Sequence, residues 1–573
     1  MKKPLTLATL AALATLLYGC NGSDSPPASP QLSCADITTD ALAIPGLVIT
    51  SATANGATAA DSSQAAMPAH CQVDGFLNKR KSDVDNQQYA IGFELRLPND
   101  WNGRFFFQGG GGTDGAVNPA VGSLPGDGQT TNALSEGYAV ASTDGGHESV
   151  DDGTPVGGAL FGVDPQARID YGYNAVGVVT DVAQTIIERH YDKPADHSYF
   201  VGCSNGGRQA MVAASRFADK YDGVIAGNPG FNLPKAALEH AWDNQQFASV
   251  APKDPSNGRP IIEQSFTVQD MKLVAGKVLA KCDALDGLTD GLIQNSAACQ
   301  AAFDPVQELA CTGSHTTVGT DCLGDTQKVA ALIKVFSGPS NSQGKALYAD
   351  WPWDAGVGDM GWRVWKLAMP YPNPDPTIPN SIIATMGGAS LPYVFMTPPV
   401  QISGAGHGII DYLLGYSFDT DAPGIYRTTG VYSESSMGFM TPPDLNFSKF
   451  KDKGGKMIVY HGNSDPVFSV HDTIQWYKNL SQANANAKDF ARLFTVPGMN
   501  HCSGGPATSQ FDMLSALVNW VEKGTAPEQI IGKAPPASTL TDVESRPLCP
   551  YPQYAKYNGG DPKVASSFSC VAS

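Results

Sequence analysis

The sequence is poor in positive charge. Lys and Arg number 37 against 55 Asp and Glu, a formal net charge of -18. Phosphate backbones require the opposite sign, so nucleic acid is excluded as a partner. Charged residues make up only 16% against 42% hydrophobic, which excludes a disordered chain and favours a packed core. The apolar run at residues 5–17 is too short to span a bilayer. No Cys-x-x-Cys or His-x-x-x-His spacing occurs, which leaves zinc a weak reading. The glycine-rich stretch at 109–115 lacks the Gly-Lys-Ser/Thr ending of a phosphate-binding loop. Internal repeats are absent as well.

What is present begins with an export signal over residues 1–20. Lys2 and Lys3 precede the apolar run, and Leu17-Tyr18-Gly19-Cys20 closes it. That tetrapeptide resembles a bacterial lipobox and predicts a lipid on Cys20, hence an outer-membrane lipoprotein, periplasmic or extracellular. Residues 21–33, rich in Ser and Pro, read as a flexible tether. Of the 11 cysteines, setting Cys20 aside leaves an even set, which in an exported chain predicts disulfides. Cys282–Cys299, Cys311–Cys322 and Cys549–Cys570 are the economical local pairings.

Residues 88–97, Gln-Tyr-Ala-Ile-Gly-Phe-Glu-Leu-Arg-Leu, alternate polar and apolar side chains and predict a half-buried strand. Arg104-Phe105-Phe106-Phe107-Gln108 predicts a buried strand feeding a glycine loop, and 138–143 predicts another strand. Helical spacing runs over 173–190, a strand over 198–202 and a helix over 207–221. Strand texture returns at 456–460. Strands alternating with helices favour a mostly parallel sheet. From about Asn232 to residue 440, Pro, Gly, Asn, Trp and Tyr are frequent and regular alternation is scarce. The simplest organisation is of the α/β class, an α/β-hydrolase fold over 34–231 and 441–573 interrupted by a lid domain at 232–440.

Gly202-Cys203-Ser204-Asn205-Gly206 fits Gly-x-Ser-x-Gly, with the strand before and the helix after that the motif requires. Its glycines permit the sharp turn that lifts a serine hydroxyl off the sheet. The helix N-terminus then faces developing negative charge. A structural turn is the alternative. A serine nucleophile needs a base and the base an orienting carboxylate, in the chain order Ser, Asp or Glu, His. Asp465 and His501 follow predicted strands in that order, whereas His147, His407, His461 and His471 lack the combination. Cys203 precedes Ser204 and Cys502 follows His501. A disulfide between them would clamp nucleophile to base, against the alternative of unrelated cysteines or a buried thiol. In Gly109-Gly110-Gly111-Gly112-Thr113-Asp114-Gly115, the N–H of Gly112 pairs with that of Asn205 as a candidate oxyanion hole. The stretch from Cys282 to Leu292 places Asp283, Asp286 and Asp290 in one short loop, open to reading as a Ca²⁺ site or as a solvated acidic turn.

Together these residues resemble the tannase and feruloyl esterase family. The Cys203-Ser204 pair, Asp465 and the His501-Cys502 pair are similar to its Cys-Ser, Asp, His-Cys signature. Trp101-Asn102-Gly103-Arg104-Phe105-Phe106, Thr143-Asp144-Gly145-Gly146-His147, Asp164-Pro165-Gln166-Ala167-Arg168 and Val496-Pro497-Gly498-Met499-Asn500-His501-Cys502 extend the resemblance over the mature chain. They look especially like the branch that hydrolyses mono(2-hydroxyethyl) terephthalate to terephthalate and ethylene glycol. The resemblance implies a secreted serine carboxylesterase acting on small aromatic esters, monomeric and without an organic cofactor. Hydroxycinnamate, gallate or bis(2-hydroxyethyl) terephthalate esters are the alternative substrates, and an aromatic-ligand-binding lipoprotein is the non-enzymatic alternative.

The resemblance also implies a structural Ca²⁺ in the lid, held by the side chains of Asp283, Asp286 and Asp290 and the carbonyls of Leu288 and Leu292. It implies the disulfides Cys34–Cys71 and Cys203–Cys502, and a substrate-binding set of Trp365, Ile382, Met386, Ser390, His461 and Phe468. Two of these depart from that branch, which resembles this chain with an Arg at the place of Ile382 and a Phe at that of Met386. The Arg pairs with a free substrate carboxylate. No Arg occurs here between Arg363 and Arg427. Lys366 and His407 are the substitutes within reach in sequence, and a neutral aromatic ester becomes the competing substrate.

Overall fold

The computed structural model describes residues 31–60, 65–312, 316–536 and 538–573. The export signal, Cys20 and most of the tether lie outside the described residues. The end of the tether is corrected, because residues 31–33 are docked. Leu32 is buried and its N–H donates to the Arg189 carbonyl at 2.8 Å, while the Gln31 amide donates to the His190 carbonyl at 2.9 Å.

Nine strands form one sheet: β1 (Leu47–Asn55), β2 (His70–Lys81), β3 (Gln88–Pro98), β4 (Arg104–Gln108), β5 (Ala139–Thr143), β6 (His197–Cys203), β7 (Gly223–Gly227), β8 (Lys456–Gly462) and β9 (Ala491–Val496). Their order is β1-β2-β3-β5-β4-β6-β7-β8-β9. The pairs β5–β4, β4–β6, β6–β7, β7–β8 and β8–β9 are parallel, and β1, β2 and β3 extend the sheet antiparallel. The parallel strands are buried on both faces and so read as apolar runs. In β4, Phe105 and Phe107 enter one core with Val179, Ile186 and Met211, while Phe106 enters the other with Leu517 and Trp520. The first core is roofed by the helices Ala175–Tyr191 and Asn205–Arg216, the second by Met513–Lys523. This is an α/β-hydrolase architecture with an inserted domain.

The insertion leaves from β7 and returns at β8, two neighbours in the sheet. The sequence showed little regular structure there, yet the insertion contains the helices Leu233–Val250, Val268–Cys282 and Thr326–Ser337. The first of these buries Glu239, His240, Asp243 and Asn244 beside its apolar residues. Polar residues on the inward face blur the apolar period from which a helix is read. Arg168 fastens the insertion to the sheet domain. Its buried guanidinium donates to the Tyr393 carbonyl at 3.0 Å, to Thr397 Oγ1 at 3.2 Å and to the Met396 carbonyl. It also lies over the Tyr432 ring at 5.1 Å.

Five disulfides join Cys34–Cys71, Cys203–Cys502, Cys282–Cys299, Cys311–Cys322 and Cys549–Cys570. Such a set belongs to an exported chain that folds in an oxidising compartment. Among the described residues no helix is long and apolar enough to cross a membrane.

Candidate active site

Ser204 stands between β6 and the helix Asn205–Arg216 with φ 64° and ψ -126°, a left-handed conformation rare for a residue with a side chain. The turn depends on glycine at its flanks. A Cβ on Gly202 would lie 2.6 Å from the Gly206 backbone, and one on Gly206 would lie 2.6 Å from the Gly110 carbonyl. The Ser204 N–H donates to the Gly227 carbonyl at 2.9 Å, which ties the turn to β7.

His501 Nε2 lies 2.8 Å from Ser204 Oγ, and His501 Nδ1 lies 2.9 Å from Asp465 Oδ2. Asp465 is buried and accepts N–H bonds from Val467 at 2.7 Å and Phe468 at 3.2 Å, and one from the Asn228 amide at 2.6 Å. Burial alone would raise its carboxyl. The facing His501 and the hydrogen bonds from His461 and His501 instead hold it well below the usual carboxylate range. Asp465 therefore stays ionised, as the partner of an imidazole that must become a cation has to be. The Cys203–Cys502 disulfide, with Cα atoms 6.0 Å apart, joins the neighbours of Ser204 and His501.

The insertion reaches this triad. Trp351 Nε1 donates to the Asp465 carbonyl at 3.1 Å. Asp354 Oδ1 accepts from Ser464 Oγ at 2.7 Å and from the Gly498 N–H at 2.9 Å, and Asp359 accepts from the Asn500 amide at 2.9 Å. The rings of Trp365 and Phe468 meet His501 edge-on at 4.8 and 5.4 Å.

A cavity opens on Ser204, bordered by Gly112, Asn205, Trp365, Ile382, Met386, Ser390 and Phe468, with His240, Leu233 and Phe395 completing much of its wall. The structure thus brings both candidate oxyanion residues and five of the six expected substrate contacts together around the nucleophile. Asp114 ties the oxyanion pair to one another. It lies two residues beyond Gly112 and accepts from the Asn205 amide at 2.6 Å and the Gln209 amide at 2.7 Å. Burial pushes its carboxyl up to about 6, against those hydrogen bonds and the charge of Arg208.

The tannase and feruloyl esterase family model matches residues 71–571. The chain belongs to that family. A mono(2-hydroxyethyl) terephthalate hydrolase from Piscinibacter sakaiensis is 43% identical over 534 residues, which span 90% of this chain and 86% of the relative. Among solved structures, feruloyl esterase B from Aspergillus oryzae matches with a TM-score of 0.67 at 22% identity, covering 92% of this chain and 97% of its own. A tannin acyl hydrolase from Aspergillus niger matches with a TM-score of 0.65 at 20% identity, covering 94% and 96%. These two establish the shared fold. The protein is a carboxylic ester hydrolase.

Three expectations for this esterase need correction. His461 is not a substrate contact. It is fully buried behind Asp465, with Nδ1 2.9 Å from Thr473 Oγ1 and Nε2 2.9 Å from the Phe468 carbonyl and 3.3 Å from Asp465 Oδ2. Lys366 does not replace the missing Arg, because it is buried between Glu239 and Asp243, at 2.6 Å from the latter. His407 does not replace it either, since its ring lies 2.8 Å from Thr377 Oγ1 and 3.5 Å from Asp375, off the cavity wall.

In the acidic loop, Asp283 accepts the N–H groups of Asp290 and Gly291 at 3.1 and 2.9 Å, and Asp286 accepts that of Leu288 at 3.0 Å. Arg546 Nε donates to Asp290 at 3.0 Å. Burial and the neighbouring carboxylates push Asp286 up to about 7, and burial raises Asp283. Among the described residues no three His, Cys, Asp or Glu side chains converge as a metal-holding group. The donor set itself suits a hard cation, since all of its members are oxygens.

Sequence reasoning missed Asp114, Asn228, Trp351, Asp354, Asp359 and His240. Asp114 carried a local signal, as an acid closing the glycine loop. The others act across the fold from distant segments and carried none.

Proposed function

We propose that this esterase hydrolyses small esters of aromatic acids through an acyl-serine intermediate and prefers uncharged acyl groups. His501 Nε2 takes the Ser204 proton as Oγ attacks the ester carbonyl carbon. The N–H groups of Gly112 and Asn205 hold the oxyanion. Collapse of the tetrahedral intermediate breaks the ester C–O bond, and His501 passes its proton to the leaving alcohol. Water, deprotonated by His501, then attacks the acyl carbonyl and frees the acid and Ser204. Trp365 and Phe468 flank the acyl ring, with Ile382, Met386 and Ser390 further along the wall.

The observation that carries the preference is that, among the described residues, no Lys or Arg borders the cavity. A second reading, the monoester mono(2-hydroxyethyl) terephthalate, is favoured by the 43% identity to a hydrolase of that name. That substrate brings a free carboxylate, which a site without a cation desolvates at a loss. Hydrolysis of mono- and bis(2-hydroxyethyl) terephthalate, methyl ferulate and methyl gallate, compared by kcat/KM, separates the two. A neutral ester leading the monoester by ~10-fold or more is expected, the size of one charge-assisted hydrogen bond. A monoester in the lead overturns the preference, and no hydrolysis of any overturns the substrate class.

The proposal extends to calcium and to the membrane. The side chains of Asp283, Asp286 and Asp290 with the carbonyls of Leu288 and Leu292 are the residues that would hold Ca²⁺, in a structural role. A lipid on Cys20 tethers the monomeric enzyme outside the cytoplasm.

A further inference from the structure

His240 projects from the helix Leu233–Val250 into the cavity wall and is 5% exposed. Its Nε2 has no hydrogen-bond partner, and Nδ1 makes only a poorly aligned contact with the Gly387 backbone. The other buried polar side chains of the wall are committed. Tyr171 Oη donates to the Gly112 carbonyl at 2.9 Å, Asn205 is held by Asp114 and Arg208, and Ser390 Oγ donates to the Gly387 carbonyl at 3.0 Å. The ring rests against Gly387, where an added Cβ would lie 2.4 Å from Nδ1, and the Gly387 N–H donates to the Ile382 carbonyl at 3.0 Å. His240 therefore sits at the wall built from Ile382, Met386 and Gly387.

A buried polar group without a partner is destabilising. Such a group on the wall of a ligand cavity is satisfied when the ligand arrives. Burial also lowers the His240 ring to about 4, so it is neutral at ordinary pH, with one N–H donor and one acceptor. With Nδ1 lodged against Gly387, Nε2 is the atom left for the ligand.

We propose that His240 is a specificity-determining residue that hydrogen-bonds a phenolic hydroxyl on the acyl ring. This rests on the aromatic-ester reading of the same cavity. Two ester pairs that differ only in a ring hydroxyl test it: methyl 4-hydroxybenzoate against methyl benzoate, and methyl p-coumarate against methyl cinnamate. The wild-type enzyme is expected to favour the hydroxylated member of at least one pair by ~10-fold or more in kcat/KM, as sites built to bond a substrate hydroxyl do.

His240→Leu should bring that ratio to within ~2-fold of unity, and His240→Asn, which keeps a donor and an acceptor, should retain part of it. Both members of a pair are assayed on one preparation, so the ratio does not depend on how much of a variant folds. A wild-type ratio near unity in both pairs, or one that survives in His240→Leu, overturns the role of His240 while leaving the esterase reading intact. A wild-type enzyme inactive on all four esters overturns both.

Discussion

The sheet domain and the insertion both reach His501, but they contribute different things. The sheet supplies every member of the triad, each at the C-terminal end of a parallel strand: Ser204 after β6, Asp465 after β8 and His501 after β9. The insertion supplies none. It holds the loops of Asp465 and His501 through Trp351, Asp354 and Asp359, packs Trp365 on the base and carries most of the cavity wall. The sheet thus sets what bond is attacked, and the insertion sets how firmly the attacking groups are held and which acyl group reaches them. A residue can therefore govern turnover here without touching the substrate.

Substitutions on the two sides should separate by size of effect. Ser204→Ala removes the nucleophile and should lower kcat by roughly six orders of magnitude, as losing a triad serine does elsewhere. Its melting temperature should stay near that of the wild type, and hydrolysis of an aryl ester near the wild-type rate would refute the assignment. Asp354→Ala, on the insertion side, strips Ser464 and Gly498 of their shared acceptor. It should lower kcat by ~10- to 100-fold, the scale of a small misplacement of catalytic groups. A kcat equal to wild type would show that the sheet alone positions the triad. Removal of Ca²⁺ with a chelator should be the smallest effect, a fall of a few degrees in melting temperature with kcat/KM changed less than ~2-fold. A melting curve indifferent to both chelator and added Ca²⁺ would remove the ion from the acidic loop.

The same contrast explains what could be read in advance. β4 and β6 are apolar runs bounded by glycine, and the elbow between β6 and its helix is a short local motif, so both were legible. Asp465 and His501 followed from chain order and their place after strands. β2 was not legible, because His-Cys-Gln-Val-Asp-Gly-Phe-Leu-Asn-Lys-Arg-Lys keeps no regular alternation. The helix Leu233–Val250 was obscured by its buried Glu239, His240, Asp243 and Asn244, and two of those hold Lys366. Functional polar residues in a core erase the apolar period that would reveal the element carrying them. His461 misled in the opposite way, since its closeness to Asp465 in sequence carried no information on which side of the carboxylate it would stand.

The Cys203–Cys502 bond closes a ring of chain whose ends are 299 residues apart in sequence and which contains the whole insertion. A protease that nicks the insertion at one point would not release it. Both fragments would stay joined at the root of the active site, migrating as one band without reductant and as two with it. An enzyme built this way can be cut in its insertion and still keep its nucleophile beside its base.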